Sequence, residues 1–254
     1  MPETQAINVD RGLAIQGATV FGRFNDFACD TEIAAGTPFI WTTVNVGGGA
    51  ATPTTVDANT KYGAVTLTCG GNEDDGHQAL DERACFLPNR KDEFTVFYDR
   101  FDLSEATQID VGCGLFLDGD TSLLASLATD FIAFITNDGD TEWDVVCSRD
   151  STVTRKNAVA VVDTGTHEYA FVVEPYADSS ARGTISWYID GQLVHKFVPQ
   201  ATLGTNETEL SNLPYDEHLS RGHAVLAGAA SAYACIWDCI GAWHICPKGR
   251  APSL

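Results

Sequence analysis

The sequence predicts an all-β protein built as a single β-sandwich with few short helices. Short runs rich in Val, Ile, Phe, Tyr and Trp recur along the chain, and turn-forming Gly, Asn, Asp and Pro residues separate them. Helical periodicity is scarce, and no Pro- or Ser-rich linker divides the 254 residues. A chain of this length with 44% hydrophobic residues can bury the core of one large sandwich.

The elements are predicted in chain order. Weak periodicity over residues 1–17 predicts an N-terminal arm, the sandwich is expected over 18–246, and 247–254 forms a short tail. "YGAVTLTCGG" alternates Val65 and Leu67 with threonines, which is typical of a half-buried strand. "GGNEDDGHQALDERA" follows as a polar connector, because charged and polar residues dominate it.

The middle of the chain contains the strongest strand signals. "DEFTVFYDRFDL" and "QIDVGCGLFLDGDTSLL" are β-rich, and the glycines of the second indicate a bulge or close backbone packing. "DFIAFITNDGDTEWDVVCSRD" holds two strands around an Asn-Asp-Gly-Asp turn. Only "TSLLASLATD" favours a short helix, since Leu123, Leu124 and Leu127 would share one face.

Two further segments complete the sandwich. "HEYAFVVEPYA" predicts a strand, and "GTISWYIDGQLVHKF" predicts a hairpin that closes at Asp190 and Gly191, a pair that tolerates the positive φ of a tight two-residue turn. In "ACIWDCIGAW", strict alternation places Cys235, Trp237 and Cys239 on one face and Ile236, Asp238 and Ile240 on the other. Both faces carry apolar groups, which favours the core as the place of most of the five tryptophans.

Charge excludes several classes of partner. Fifteen Lys and Arg against thirty-five Asp and Glu give a formal net charge of −20, which repels nucleic-acid phosphates and anionic lipid headgroups. The start of the chain lacks the basic and apolar regions of a secretory signal, and no apolar window is long enough to span a membrane. We therefore expect no nucleic-acid partner, no membrane partner and maturation in a cytoplasm.

Eight cysteines are spread through the strand-like runs. A chain of this size without a signal favours reduced, buried thiols, although the even count leaves disulfides open. No C-x-x-C pair supports a zinc ribbon.

No catalytic motif and no cofactor motif is evident. The paired acids of jelly-roll glycosidases, E-x-D-x-x-E, are absent, and Glu93 and Asp99 share a face but lie about 20 Å apart along a strand. No G-x-S-x-G elbow, H-E-x-x-H motif or phosphate-binding loop occurs. The sequence therefore predicts a protein that is not an enzyme, while a divergent glycosidase with acids from separate segments stays open.

Two acidic turns are weak calcium candidates. Asp118 and Asp120 lie in "LDGDTS", and Asn137, Asp138 and Asp140 lie in "TNDGDTE". Their composition is similar to that of calcium-binding loops, but neither completes the D-x-[DN]-x-[DN]-G-x5-E pattern. Ordinary Asp-Gly turns are the favoured interpretation.

Several quoted segments together resemble a known group of proteins. The order "FNDF", "PFIWTTV", "YGAVTLTCGGNEDD", "TDFIAFITNDGDTEW", "GTISWYIDGQLVHKF" and "CIWDCIGAW" is similar to that of concanavalin-like, laminin-G-like jelly rolls. Specifically, it resembles structural proteins of tailed bacteriophages of about 200–260 residues. The resemblance covers roughly residues 21–245.

That resemblance implies a non-catalytic virion protein, namely a capsid decoration (cement) protein that stabilises the shell through subunit contacts. Its implied partners are the major capsid protein and further copies of itself, with a trimer favoured. Its implied location is the capsid exterior after assembly in the bacterial cytoplasm. The alternative is a carbohydrate-binding, lectin-like module of a phage tail or surface protein.

Overall fold

The fold is that of a two-sheet β-sandwich, as the sequence predicts. The computed structural model describes residues 13–15, 18–25, 41–46, 54–56, 64–81, 86–88, 93–117, 123–124, 129–175, 183–198, 207–210, 212–214, 216–231 and 233–247. Within these ranges all regular structure is β-strand, and no helix is long and apolar enough to cross a membrane.

One layer, sheet A, has ten strands. They are β1 (Leu13–Ile15), β2 (Ala18–Asn25), β4 (Thr54–Val56), β5 (Val65–Thr68), β7 (Phe94–Leu103), β12 (His167–Pro175), β13 (Gly183–Ile189), β14 (Gln192–Val198), β15 (Glu207–Glu209) and β17 (Ala234–Pro247). Eight of them follow the order β1-β2-β17-β7-β12-β13-β14-β15, and β5 pairs with β17 and β4 beside that path. The pairs are antiparallel except β14 with β15.

The other layer, sheet B, has seven strands. They are β3 (Trp41–Val46), β6 (Gly76–Asp81), β8 (Ile109–Leu117), β9 (Phe131–Thr136), β10 (Glu142–Arg149), β11 (Thr152–Val161) and β16 (Leu219–Ala227). Their order is β11-β10-β9-β8-β16-β6-β3. The predicted strands of "QIDVGCGLFL" and the hairpin of β9 and β10 are therefore confirmed.

Side chains of β7 alternate between the core and the outer face of sheet A. Phe97, Asp99 and Phe101 point between the sheets and are fully buried, whereas Tyr98 and Arg100 between them are only partly buried. A two-residue period is what a strand with one face on the core requires. The outward residues of β7 thus belong to the outer face of sheet A.

The tryptophan prediction is confirmed for three residues. Trp143, Trp187 and Trp237 are fully buried between the sheets. Phe134 of sheet B links two of them, with ring centroids 6.4 Å from Trp143 and 5.0 Å from Trp187, both edge to face. The side chain of Trp41 lies outside what the structure describes.

The Asp-Gly hairpin has the predicted geometry. Ile189 pairs with Gln192, so Asp190 and Gly191 alone form the loop. Their φ angles are +51° and +73°, as the twist-matched two-residue turn requires. A residue with a bulky or β-branched side chain would be strained at either position.

The predicted polar connector is wrong over residues 76–81. This segment is strand β6, and all of it is buried, including His77, Gln78 and Asp81. Polar residues can be buried when they are hydrogen-bonded. Gln78 Oε1 accepts the Leu123 amide at 2.8 Å, and Asp81 pairs with Arg221.

The face assignment in β17 is wrong after Trp237. A bulge at Asp238 shifts the register, because Trp237 pairs with Phe101 but Cys239 pairs with Arg100. One extra residue inverts the alternation that follows it. Ile240 and Ala242 therefore join the core, while Trp243 turns to the outer face of sheet A.

Other boundary predictions fall partly outside the described residues. Leu123 and Leu124 form a bend rather than a helix, and Leu127 is outside the description. Within the predicted arm, Leu13–Ile15 is strand β1 and pairs with β2, while 1–12 lies outside. Strand β17 reaches Pro247, one residue into the predicted tail, and 248–254 lies outside.

Reduced, buried thiols are confirmed for five cysteines. Cys69, Cys113, Cys147, Cys235 and Cys239 are buried and free. Burial raises the pKa of the Cys69 thiol, and that of Cys239, to about 12. The side chains of Cys29, Cys85 and Cys246 lie outside the described residues.

Buried polar contacts join the two sheets. In sheet A, Asp99 accepts a 2.7 Å hydrogen bond from Trp237 Nε1; its other oxygen lies 2.9 Å from His223 Nδ1 of sheet B. Arg221 of sheet B bonds Asp81 at 2.8 Å and donates to the Ile240 carbonyl of sheet A at 3.2 Å. These contacts satisfy buried polar atoms and fix how one sheet lies on the other.

We predict that Asp99→Ala lowers the free energy of unfolding by about 3–5 kcal/mol, because it leaves two fully buried hydrogen-bonding groups without their acceptor. His223 and Trp237 would each lose a hydrogen-bond acceptor. Urea unfolding measures the effect, and the exposed Asp216→Ala is the control, with a change within about 0.5 kcal/mol. Equal stability of the two variants would contradict the assignment.

Candidate functional site

A thiol, an imidazole and a carboxyl group line up inside the sandwich. Cys235 Sγ lies 3.4 Å from His223 Nε2, and His223 Nδ1 lies 2.9 Å from Asp99 Oδ2. The order is that of a nucleophile, base and orienting acid. All three side chains are fully buried, and burial keeps the pKa of the Cys235 thiol well above its usual range. A protonated thiol that no substrate reaches has a structural role.

The two acids that the sequence singles out, Glu93 just before β7 and Asp99 within it, are both buried. A glycan outside the sandwich cannot reach them. These two acids are therefore not candidates for contact with a glycan.

The outer face of sheet A carries a tryptophan laid over two glycines. Trp243 is partly exposed and pairs with Gly22 of β2, while Gly241 precedes it by two residues on the same face. A Cβ on Gly22 would lie 2.1 Å from Trp243 Cδ1, and one on Gly241 would lie 2.3 Å from Cη2. The indole can occupy this position only because both residues lack a side chain.

Two further aromatic residues flank that tryptophan. Gly241 pairs with Phe24 on one neighbouring strand and with Tyr98 on the other. The rings of Phe24 and Trp243 are stacked, with centroids 6.1 Å apart and planes 22° apart. Phe24, Trp243 and Tyr98, all partly exposed, are called the aromatic strip below.

Polar groups continue the surface beyond the aromatic strip. The Tyr98 hydroxyl is hydrogen-bonded to Glu168, and partial burial raises the pKa of this tyrosine. Arg100 Nε lies 3.3 Å from Asp238 Oδ2. Partial burial, with a smaller contribution from the charge of Asp238, raises the pKa of Asp102.

The chemical character of this surface follows from its parts. A partly exposed aromatic ring offers an apolar plane, and the adjacent hydroxyl, carboxyl and guanidinium groups offer hydrogen-bond donors and acceptors. Such a combination suits a flat ligand with an apolar side and hydroxyl groups at its edge. Sequence reasoning missed this site, because the bulge at Asp238 decides which face Trp243 occupies.

Two of the calcium candidates in the β9–β10 turn, Asn137 and Asp140, are hydrogen-bonded to each other. Asp140 Oδ2 accepts hydrogen bonds from the backbone amide and the side-chain amide of Asn137, at 3.3 and 3.2 Å. The amide of Asp138 donates to Asp110 Oδ1. These hydrogen bonds are typical of an Asp-Gly turn.

Acids from other segments approach this turn. Burial raises the pKa of Asp110, and the charges of Asp74, Asp138 and Asp140 raise it further. Among the residues that the structure describes, no group of three or more His, Cys, Asp or Glu side chains is arranged to hold a metal ion. Asp118 and Asp120 lie outside those residues.

A shallow pocket of about 280 Å³ opens beside the same turn. Its walls come from residues 139–142 and from Asp144, Arg155, Asn157 and Ala158. Asp144 accepts hydrogen bonds from Arg155 and from the Ala158 amide, so these wall groups bind one another.

No protein-family model matches the chain, and no curated protein matches it. Solved structures with the same fold do exist. A protein of unknown function from Shewanella oneidensis MR-1 has a TM-score of 0.56 at 13% identity, covering 96% of this chain and 93% of its own.

Two neighbours concern carbohydrates. One is described with endo-acting O-glycanases that human gut microbiota express to initiate mucin breakdown; it has a TM-score of 0.53 at 10% identity, covering 89% of this chain and 98% of its own. The other is the potassium-bound carbohydrate recognition domain of Emp46p, with a TM-score of 0.51 at 10% identity, covering 87% of this chain and 98% of its own. At these identities the likeness establishes the fold, a concanavalin-like jelly-roll sandwich, and no more.

We predict that Asp110→Asn stabilises the protein by roughly 0.5 kcal/mol at pH 7, since it removes a charge beside three other acids and keeps an acceptor for Asp138. A raised folded-state pKa means that the stability contributed by protonated Asp110 is lost as the pH rises through that pKa. The stabilisation by Asp110→Asn should therefore vanish below pH 3.8, the ordinary pKa of an aspartate side chain. Thermal unfolding from pH 3 to 8 measures it, with the exposed Asp150→Asn as control. A gain that persists at pH 3 would contradict the repulsion.

Proposed function

We propose that this chain is a carbohydrate-binding, lectin-like domain that holds a glycan on the outer face of sheet A. The observation that carries the proposal is the partly exposed indole of Trp243 over Gly22 and Gly241. Tryptophan side chains are highly buried on average. The place of Trp243 on the surface, between Phe24 and Tyr98, is instead that of a stacking platform for a sugar ring.

The dimensions of the surface support this function. Val96 of β7 pairs with Trp243, and Asp102 lies six residues farther along the same strand. That separation is about 20 Å, which accommodates an oligosaccharide of several units. Tyr98, Arg100 and Asp102 alternate along the path and offer polar groups to its hydroxyls.

The carboxylates of this face favour binding over hydrolysis. Glycoside hydrolysis needs two acids placed on either side of one bond. Here Glu168 is engaged by the Tyr98 hydroxyl and Asp238 by Arg100. Carboxylates held in this way act as fixed acceptors for sugar hydroxyls.

A capsid decoration protein is the second candidate, as the resemblance to phage structural proteins implies. The observation that favours it is a pair of exposed valines on β11, one of the two edge strands of sheet B among the described residues. Val153 and Val161 are 48% and 69% exposed there. Apolar residues on an open strand edge suit a subunit contact. The proposed partners are the major capsid protein and further copies of this chain, with a trimer favoured, on the capsid exterior.

We predict that Trp243→Ala weakens glycan binding by about tenfold or more, because it removes the stacking plane. Isothermal titration with laminaritetraose, chitotetraose and mannotetraose is the measurement. Gly241→Ala should have the same effect without removing the ring, since a Cβ 2.3 Å from Cη2 must displace it.

The control for both variants is Leu193→Ala on β14. Leu193 is 52% exposed but lies several strands from the aromatic strip. It should bind as the wild type does. Unchanged affinity in Trp243→Ala, or wild-type protein that binds nothing on a broad glycan array, would refute the proposal. If the protein released reducing ends from the same oligosaccharides, it would be a glycoside hydrolase and not a lectin-like domain.

We predict that Tyr98→Phe reduces affinity roughly threefold to tenfold and leaves stability nearly unchanged. It removes the hydroxyl that orients Glu168 but keeps the ring. Titration of the same oligosaccharides and thermal unfolding are compared. An affinity equal to that of the wild type would exclude the Tyr98 hydroxyl, and the Glu168 carboxylate that it orients, from the glycan contacts.

The decoration role has its own test, the copy number in purified phage particles. Hundreds of copies per particle are expected for a decoration protein. Loss of occupancy in the double variant Val153→Ser and Val161→Ser would assign the contact to β11. Absence from purified particles would exclude this role.

A further inference from the structure

His167, the first residue of β12, lies between two carboxylates. Its Nδ1 is 2.6 Å from Asp190 Oδ2, and its Nε2 is 2.7 Å from Asp163 Oδ1. Asp163 belongs to the connection between β11 and β12, and Asp190 belongs to the β13–β14 turn. One imidazole therefore joins two separate segments beside the start of β12 and the end of β13.

The distances identify the protonation state of the ring. A neutral imidazole carries one N–H, and its other nitrogen is an acceptor. Carboxylate oxygens at hydrogen-bond distance from both nitrogens are both satisfied only by the imidazolium form, which donates from each nitrogen. Deprotonation would leave a lone pair of one ring nitrogen against a carboxylate oxygen.

Each carboxylate is itself fixed by the backbone. Asp190 Oδ1 accepts the Glu168 amide at 2.9 Å, and the Asp190 amide donates to the Glu168 carbonyl at 2.9 Å. Asp163 Oδ1 accepts the Gly165 amide at 2.6 Å. The acids cannot turn away from the ring without breaking these bonds.

We propose that Asp163, His167 and Asp190 form a pH-operated clasp that holds the β11–β12 connection and the β13–β14 turn together while His167 is protonated. Loss of the proton releases one of the two contacts and loosens both segments. The clasp requires no ligand. It is a property of the fold in addition to the proposed function.

The ionisation equilibria agree with this geometry. Partial burial lowers the pKa of His167, but the hydrogen bonds and charges of Asp190 and Asp163 outweigh it and raise the pKa above 6.5. The hydrogen bond from His167 lowers the pKa of Asp163. Burial raises the pKa of Asp190, yet its bonds from Glu168 and His167 bring it below 3.8.

The pH range in which the clasp is closed follows from the directions of these pKa shifts. A histidine with a raised folded-state pKa contributes stability that is complete below 6.5 and is lost as the pH rises through the raised value. The acids contribute stability that is lost only as the pH falls through their lowered pKa values. The clasp is closed below pH 6.5 and opens as the pH rises through the raised pKa of His167.

Other titratable groups around the ring do not replace the clasp. The Tyr169 ring lies edge-on, 6.4 Å from His167 between centroids. Asp102 of β7 accepts the Thr166 hydroxyl at 3.3 Å, and the Glu168 carboxyl bonds Tyr98. None of these three groups carries a positive charge. His167 is therefore the cation that acts on Asp163 and Asp190.

The clasp also reaches the outer face of sheet A. Asp190 holds both the amide and the carbonyl of Glu168, whose side chain meets Tyr98 of the aromatic strip. Opening the clasp would loosen Glu168 and weaken a bound glycan. This last consequence rests on the proposed function, whereas the clasp itself does not.

The test is an NMR titration of the full chain from pH 5 to 9. We expect the His167 ring to titrate above 6.5, and its pKa to fall in Asp163→Asn and in Asp190→Asn, which keep the side-chain shape. Amide exchange of Glu168 and Asp190 should lose protection across the same pH range. His167→Gln should lack this step, and the exposed His218→Gln should keep it.

Two outcomes would overturn the clasp. One is a His167 that titrates at or below 6.5 in the wild type, which needs no variant to observe. The other is protection of Glu168 and Asp190 that depends on pH equally in His167→Gln. Amide exchange decides the clasp even if laminaritetraose, chitotetraose and mannotetraose all fail to bind, in which case the proposed function alone fails.

Discussion

The structure depends on a pair of buried polar contacts that join the two sheets. Asp99 reaches from sheet A to His223 and is also bound by Trp237, while Arg221 spans from Asp81 to the backbone of sheet A. Apolar packing alone is non-directional and would let one sheet slide on the other. Buried polar groups require hydrogen-bond partners, so these contacts favour one arrangement of the sheets.

The same strands that carry these contacts carry the candidate binding surface. On β7, Asp99 points inward while Tyr98 and Arg100 on either side point outward. On β17, the bulge at Asp238 separates a core-facing Trp237 from a surface-facing Trp243. Groups of the outer face are thus mounted on a rigid scaffold, which suits a surface that binds without changing shape.

Charge is distributed unevenly over the described residues. Two buried acids are paired with Arg221 and His223, the acids around the β9–β10 turn repel Asp110, and the acids beside His167 share one imidazole. Each arrangement responds differently to pH, because burial, repulsion and an opposite charge shift a carboxyl pKa for different reasons. A net charge of −20 therefore does not describe any single region of the molecule.

By itself the sequence determined the fold class, most strands, the Asp190–Gly191 turn and the reduced state of the described thiols, because these follow from local periodicity, turn chemistry and composition. It misjudged 76–81, whose polar residues are buried by partners from distant strands, and the faces after Trp237, where one bulge residue inverts the alternation. Only the tertiary structure decided that Trp243 lies over Gly22 and that His167 meets Asp190. Both contacts join residues far apart in the chain, and no local pattern encodes which strands become neighbours.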